Sequence, residues 1–167
     1  MAVLPIIKLG HPSLRKRALE VTRFDDELVR LARNMIDTMR VNEGIGLAGN
    51  QVNVLQRIFV IDFQLVDETQ EARAFVNPRI LRGEGSVKME EGCLSIPGVR
   101  ADVVRPETVE VEYQDLEGRT HREVLTELPA RVFQHELDHL DGILFIDHLS
   151  PVQRKLLEPQ LKSIQEA

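Results

Sequence analysis

A helical pattern of apolar residues runs from about Asp25 to Val41. Apolar side chains recur there every three or four positions, at Leu28, Leu31, Ala32, Met35, Ile36 and Met39. This spacing places them on one face of a helix, and Asp25 or Asp26 is suited to cap its N-terminus. We therefore predict a long amphipathic helix whose apolar face, including both methionines, packs in the core.

Strand patterns dominate the middle of the chain. Apolar, β-branched and aromatic residues alternate with polar ones, or form short runs, at 57–62, 74–76, 101–104 and 108–113. These runs predict β-strands. A turn at 115–118 is predicted to join the last of them to 119–125 as an antiparallel hairpin, and 142–147 is also expected to be extended.

Three glycines, Gly44, Gly46 and Gly49, lie in a predicted loop at 43–51. Their backbone can approach a ligand closely because no Cβ stands in the way, although an ordinary flexible connection explains them equally well. The segment is not a dinucleotide-binding fingerprint, because it follows a helix and leads to a strand.

The two ends of the chain carry weaker signals. Gly10 and Pro12 predict a turn, followed by a short helical turn at 13–18. A closing helix is predicted from Pro151 to about Gln165, and Pro159 is expected to kink it.

A third helix is predicted around 131–142, and it carries the chemistry. His135 and His139 are four positions apart, so their rings project from one face of the helix, with Glu136 beside them. This is the H-E-x-x-H pattern of metallohydrolases, in which the histidines bind a metal and the glutamate is the general acid/base. Pro129 suits the first turn and Gly142 the end. The competing interpretation is a solvated helix with surface histidines, and the apolar neighbours of the motif argue against it.

Length and composition limit the other possibilities. The chain has 167 residues, 43% of them hydrophobic, which predicts one domain spanning 1–167. Its net charge of -6 argues against binding free nucleic acid. No apolar run approaches the length of a membrane span, and we expect a soluble protein without a signal peptide.

The predicted elements together indicate an α+β fold. Hairpin connections rather than crossovers favour antiparallel sheets, which we expect to pack around the central metal-binding helix. The long N-terminal helix and the C-terminal helix complete the prediction.

Two histidines leave a metal short of protein ligands, and three sources of a third are open. A continuation of the motif to a third histidine fails, because Phe145 stands at that position. A downstream carboxylate could come only from Asp147, Glu158 or Glu166 on the short tail. The remaining source is Cys93, the only cysteine, which is otherwise expected to be a small buried apolar residue.

A Cys-His-His site has a definite chemistry. One thiolate and two imidazoles suit Zn(II) or Fe(II), and they leave a fourth position open for water. A metal lowers the pKa of bound water, and Glu136 is placed to take and return its proton.

Three segments together resemble the signature motifs of peptide deformylases, in the same order. They are 44–51 (GIGLAGNQ), 91–95 (EGCLS) and 134–140 (QHELDHL), and the resemblance extends from Ile7 to about Leu149. One departure is Gly49, where the family usually has alanine, and the loss of a methyl group is expected to leave the loop working but looser.

The resemblance implies removal of the formyl group from the N-terminal formyl-methionine of newly made polypeptides, with release of formate. It implies that Cys93, His135 and His139 bind the metal and that Glu136 is the catalytic acid/base. It also implies Fe2+ as the cofactor, with Zn2+, Ni2+ or Co2+ as substitutes.

The resemblance also assigns the groups that contact the substrate. Gln51 and the backbone amide of Leu94 would stabilise the oxyanion. Ile45 and Gly46 would lie along the substrate backbone, and Val132 would border the pocket for the methionine side chain.

Partners and location follow from the same resemblance. Nascent formyl-methionyl polypeptides are the expected substrates, in a bacterial-type cytoplasm or in an organelle after import. Some relatives dock a basic C-terminal helix on the ribosome. Residues 151–167 carry three basic and two acidic side chains, a net of +1, which predicts at most a weak contact.

Two other functions remain as alternatives. An H-E-x-x-H endopeptidase would leave Cys93 and Gln51 unexplained. A closed structural metal site would need a fourth ligand and would have no use for Glu136. The candidates for that ligand, otherwise expected to be surface or turn residues, are His11, His121 and His148.

Two acidic pairs are expected to have structural roles. Asp25–Asp26 is expected to begin a helix, and Glu90–Glu91 is expected to lie in a solvated turn. Because Glu91 belongs to the second motif, it is also a candidate to support a metal ligand.

Overall fold

The structure, a computed structural model, describes residues 2–166. The helices are α1 (Asp26–Val41), α2 (Glu127–Leu140) and α3 (Pro151–Gln165). The strands are β1 (Gly46–Ala48), β2 (Ile58–Asp62), β3 (Ala72–Glu84), β4 (Val87–Cys93), β5 (Ile96–Arg105), β6 (Thr108–Gln114) and β7 (Thr120–Thr126). One antiparallel sheet has the order β1-β2-β3-β6-β7, and β4 and β5 form a separate hairpin. The α+β prediction is confirmed.

Helix α1 forms where the apolar periodicity predicts it. The Asp25 side chain accepts a hydrogen bond from the Leu28 amide at 3.1 Å and so caps the N-terminus. Met35 and Met39 are fully buried, with 0% of their surface exposed. Both methionines are therefore core residues, as predicted.

Helix α2 lies between the two sheets. Phe133 packs edge-on against Phe59 and Phe75 of the larger sheet, with ring centroids 5.0 and 5.4 Å apart. On the side of the β4–β5 hairpin, Arg131 donates a hydrogen bond to the carbonyl of Val103 at 2.8 Å. The helix ends at Leu140, after which Gly142 adopts a left-handed φ of +76° and its amide bonds the His139 carbonyl. The contacts on both sides of α2 place the H-E-x-x-H motif between the two sheets.

Two predicted loops are strands instead. The glycine-rich segment 43–51 contributes β1, paired with β2, and the 3₁₀ turn Gly49–Val52. The expected turn at Glu90–Glu91 lies within β4, whose partner β5 begins at Ile96, earlier than predicted. In both places backbone pairing with a neighbouring strand outweighs the low strand propensity of glycine, and that pairing is not visible in the local sequence.

Two further boundaries were wrong. Strand β3 continues through Asn77 and Pro78, where a shift in the strand register accommodates the residues. Asn77 has a φ of +48°, and its side-chain amide bonds both the N–H and the carbonyl of Val21. The segment expected to be extended after Gly142 forms the 3₁₀ turn Phe145–His148.

The C-terminal helix α3 forms as predicted and contains Pro159. Its Leu161 packs with residues of β5 in a second apolar cluster. No helix within residues 2–166 has the length and hydropathy needed to cross a membrane.

Candidate metal centre

Three side chains from two elements converge beside a cavity. His135 and His139 lie one turn apart on α2, and Cys93 ends β4 beside its tight turn to Ile96. One ligand atom from each residue lies within 4.8 Å of the other two. The Cys93 Sγ is 3.3 Å from the His139 Nε2, although the residues are 46 positions apart in the chain. Of the three possible sources of a third ligand, the fold therefore brings Cys93 to the two histidines.

The donor set fits a metal ion. The His135 Nδ1 lies 2.9 Å from the Glu91 carboxylate, which orients the ring and leaves Nε2 for a metal. The group of closely spaced donors contains no fourth Cys, His, Asp or Glu within residues 2–166. One thiolate and two imidazoles are a set that Fe(II) and Zn(II) both accept. A site with three protein ligands has the open form of catalytic rather than structural sites.

The protonation of the two histidines differs because their neighbours differ. Burial lowers the pKa of His135, but its hydrogen bonds with Cys93 and Glu91 outweigh this and raise the pKa to about 10. Burial and the neighbouring charge of His135 lower the pKa of His139 well below its ordinary value. Bound metal requires both rings as neutral donors, so metal binding would release the proton from His135.

Glu136 projects into the cavity from the same helix. It is 4% exposed, and its Oε1 has no hydrogen-bond partner within the described chain. Burial raises the pKa of this carboxyl group to about 7. An unpartnered buried carboxyl oxygen is costly unless a ligand or water uses it.

Gly46 brings the backbone of β1 against this carboxylate. A Cβ at position 46 would lie 2.7 Å from the Glu136 Oε2 and 2.8 Å from the Val132 Cγ1. Only glycine fits there without displacing the site. This close packing argues against an ordinary flexible connection, and the approach of a ligand to this backbone stays a prediction.

Gln51 faces the metal site from the 3₁₀ turn. Its Oε1 accepts a hydrogen bond from the Ala48 amide at 2.9 Å, which fixes the orientation of the side-chain amide. Its Nε2 then lies 3.4 Å from the Cys93 Sγ and donates to the Ser95 hydroxyl at 3.2 Å. The amide donor is therefore held beside the candidate metal ligands.

A cavity of about 560 Å³ collects the predicted site residues. His139 does not line it and is 1% exposed, so it lies behind the cavity wall. The other eight residues predicted to act in the site all line this cavity: Ile45, Gly46, Gln51, Cys93, Leu94, Val132, His135 and Glu136.

A buried charge network behind the site was missed in the sequence. The predicted turn implied a solvated Glu91. This residue is instead buried, with 5% of its surface exposed. Arg105 donates two hydrogen bonds to its carboxylate, at 2.7 and 3.0 Å, and Arg131 donates a third at 2.6 Å. Burial raises the pKa of Glu91, but the hydrogen bonds from His135 and Arg105 outweigh this and hold it well below its usual range.

The sequence contained a signal that both arginines face inward. Arg105 continues the alternation of Val99 and Val103, which are the inward residues of β5. Arg131 lies four residues before His135 and so shares its helix face. The network continues outward, because Arg105 also bonds Asp138 at 2.8 Å.

The remaining histidines lie elsewhere, in line with their surface interpretation. His121 bonds Asp115 at 2.7 Å and His148 bonds Asp138 at 2.8 Å, both partly exposed. His11 caps the 3₁₀ turn Pro12–Arg15 by accepting a hydrogen bond from the Ser13 amide. The group of closely spaced metal donors includes none of them.

The loop was expected to be looser at Gly49 for lack of a methyl group, but there is no free space beside this residue. A Cβ there would lie 2.6 Å from the Val54 carbonyl oxygen and 2.9 Å from that of Gln56. The backbone that follows the turn is packed directly against the glycine.

Comparisons with known proteins agree on one family. The family model described as "Polypeptide deformylase" matches residues 3–155. The peptide deformylase of Zymomonas mobilis is 45% identical over 166 residues, covering 96% of this chain and 94% of that protein.

Solved structures show the same similarity in three dimensions. The peptide deformylase of Thermus thermophilus has a TM-score of 0.90 and 41% identity, covering 98% of both chains. A Plasmodium falciparum peptide deformylase in complex with an inhibitor has a TM-score of 0.88 and 41% identity. It covers 97% of this chain and 99% of that one.

Proposed function

The chain belongs to the polypeptide deformylase family and removes the formyl group from the formyl-methionine of new polypeptides, and we propose that Cys93, His135 and His139 hold its metal. The observation that carries this assignment is the approach of their three ligand atoms to within 4.8 Å beside a buried carboxylate. When bound, the metal would polarise the formyl group and activate a water molecule.

We propose that Glu136 is the acid/base of the reaction. Its carboxylate takes a proton from the attacking water and returns it to the amine as the C–N bond of the formamide breaks. The products are formate and a free N-terminus. The unpartnered Oε1 and the close passage of Gly46 leave this carboxylate facing the cavity rather than a protein donor.

The negative charge that develops on the formyl oxygen needs fixed donors. We propose that the Gln51 side-chain amide and the Leu94 backbone amide supply them. Gln51 is oriented by its bond to the Ala48 amide, so no reorganisation is needed during the reaction. A single such donor contributes about 10²- to 10³-fold to kcat in other hydrolases.

Recognition of the substrate is proposed for the cavity walls. Ile45 and Gly46 would lie along the peptide backbone, and Val132 would contact the methionine side chain. The crowding of Gly46 against Glu136 leaves little room beside the reacting carbon. A formyl group, which carries only hydrogen there, would fit where a larger acyl group would not.

The family is metal-dependent, and we propose Fe2+ as the native ion, with Zn2+, Ni2+ or Co2+ able to replace it. Thiolate ligation by Cys93 supports this and predicts loss of activity in air. We also propose that the protein works in a bacterial-type cytoplasm and that α3 makes at most a weak ribosome contact. Exposed Arg154, Lys155 and Lys162 beside Glu158 support no more than that.

The decisive experiment measures formate released from formyl-Met-Ala-Ser. Protein purified without oxygen is compared with metal-free protein, with Glu136→Gln and with Glu117→Gln, an exposed glutamate on the β6–β7 turn. We expect metal-dependent release that falls by about 10²-fold or more in Glu136→Gln. Glu117→Gln should match the wild type.

Two results would contradict the assignment. Folded, metal-loaded wild-type protein that releases no formate would show that the site serves another reaction. Full activity in Glu136→Gln would remove the proposed acid/base. Reconstitution with each metal in turn, followed in air and without oxygen, separates Fe2+ from its substitutes.

A further inference from the structure

An N-terminal strap, residues 2–9, crosses the protein and ties three elements together. Its Ala2 and Leu4 amides donate to α1 side chains, Asn34 Oδ1 at 3.0 Å and Thr38 Oγ1 at 2.8 Å. After Pro5 the strap leaves α1 and reaches the edge of the active site. This segment contains none of the predicted metal-binding, catalytic or substrate-binding residues.

The second half of the strap bonds both segments that carry the proposed oxyanion donors. The Ile7 amide donates to the Gln51 carbonyl at 2.8 Å, and the Leu9 amide donates to the Ser95 carbonyl at 2.9 Å. Two residues of chain span at most about 7 Å, so these bonds set an upper limit on the separation of the two segments. Gln51 and Ser95 are 44 positions apart in sequence, and the strap joins their backbones.

Lys8, between the two amides, adds a third bond. Its Nζ donates to the carbonyl oxygen of Leu94 at 3.3 Å. The side chain of Leu94 packs closely against the backbone of Gly44. A Cβ added to Gly44 would lie 2.7 Å from the Leu94 Cδ1. Leu94 is thus contacted at its carbonyl and at its side chain.

We propose that the strap is a positioning element for the oxyanion site, and that Ile7 through its N–H, and Lys8 through its ammonium, are positioning residues. This inference rests on the oxyanion role proposed above for Gln51 and Leu94. None of the strap residues lines the cavity. The strap holds the two donors at the separation that the transition state requires, so its loss lowers kcat more than it weakens substrate binding.

The first test removes one backbone donor. Ile7→Pro removes the N–H and replaces the side chain with a ring, whereas the matched control Ile7→Ala shortens the side chain and keeps the N–H. We expect Ile7→Pro to lower kcat about 10- to 100-fold relative to Ile7→Ala, because misplacing a catalytic group by about 1 Å has effects of this size. The KM for formyl-Met-Ala-Ser should differ by less than about two-fold between these variants.

The second test uses Lys8 and does not alter the backbone. Lys8→Met removes the donor and keeps much of the chain length, and Lys8→Arg restores a donor. We expect Lys8→Met to lower kcat roughly five-fold, the size of one modest hydrogen bond, and Lys8→Arg to recover most of the loss. Since Lys8 is exposed, Lys8→Met should fold even where Ile7→Pro does not.

A readout independent of turnover comes from amide hydrogen exchange in metal-free protein. In Ile7→Pro, exchange should accelerate at residues 93–96 and 49–53 and stay unchanged in β6 and β7, compared with Ile7→Ala. A uniform acceleration across the protein would indicate simple destabilisation and would overturn the proposal.

The kinetic outcomes separate this proposal from the function itself. Wild-type protein that releases no formate contradicts the deformylase assignment. Active wild-type protein with equal kcat in Ile7→Pro and Ile7→Ala, or with equal kcat in Lys8→Met and Lys8→Arg, overturns the strap proposal. A loss confined to KM would overturn it as well.

Discussion

The protein contains the same arrangement of charges twice, in opposite surroundings. Glu91 lies between Arg105 and Arg131, and all three side chains are at most 5% exposed. On the outer face of the β3–β6–β7 sheet, Glu112 lies between Arg79 and Arg122, at 2.7 Å from each. These two arginines are 62% and 66% exposed.

The difference shows that contact distance alone does not measure the importance of an ion pair. The distances in the two groups are nearly equal, but water competes for both arginines of the outer group. In the buried group the charges have lost their hydration, so each depends on its protein partners. Glu91 is also hydrogen-bonded to the ring of His135. This bond connects the buried charge group to the proposed metal site.

The largest expected effect is that of Glu91→Gln. It leaves the buried Arg131 without a carboxylate and Arg105 with only Asp138, and it should destabilise metal-free protein by about 3 to 5 kcal/mol. It should also weaken metal binding about 10- to 100-fold, because His135 loses its charged carboxylate partner. Urea unfolding and metal titration measure the two effects. A loss no larger than that of Glu112→Gln would break the comparison.

A smaller effect is expected for Arg131→Met. Glu91 keeps its two bonds from Arg105, but the carbonyls of Val87 and Val103 lose their donor. We expect a loss of about 2 to 3 kcal/mol in urea unfolding, the range for hydrogen bonds to charged groups. Arg122→Met is the control on the outer group, and an equal loss there would contradict this ranking.

Salt sharpens the comparison without changing a residue. At about 1 M salt the screening length falls to about 3 Å, which weakens pairs that face solvent and leaves buried ones largely intact. The stability difference between wild type and Glu112→Gln should therefore shrink with added salt. The difference between wild type and Glu91→Gln should persist, and a parallel decline of both would show that water reaches the buried group.

The smallest effect is the pH dependence at Glu112. Hydrogen bonds from Arg122 and Arg79 lower its pKa below the ordinary value of 4.5. A lowered pKa in the folded state contributes stability that is present above 4.5 and is lost as the pH falls through the lowered value. The stability advantage of wild type over Glu112→Gln should therefore disappear on acidification, as unfolding curves from pH 6 downward would show. An advantage that grows toward low pH would have the wrong sign.

Local patterns in the sequence were enough for the helices and for the β6–β7 hairpin. The stripe of α1 and the alternation of β6 report burial on one side, which is what the periodicities measure. The glycine-rich strand β1 and the hairpin strand β4 were missed for the opposite reason. Each is stabilised by pairing with a partner, and the partner lies outside the window from which a local pattern is judged.

The sequence alone determined the chemistry available to this protein. One thiol, two imidazoles at helical spacing and a neighbouring carboxylate supply the groups of the proposed metallohydrolase site, because side-chain chemistry is a property of residue type. The tertiary structure decided which of the available ligands meet, since Cys93 reaches His139 only when β4 packs beside α2. It also decided that Glu91 is buried rather than solvated. Burial depends on what packs against a residue, and residues distant in the chain supply that packing.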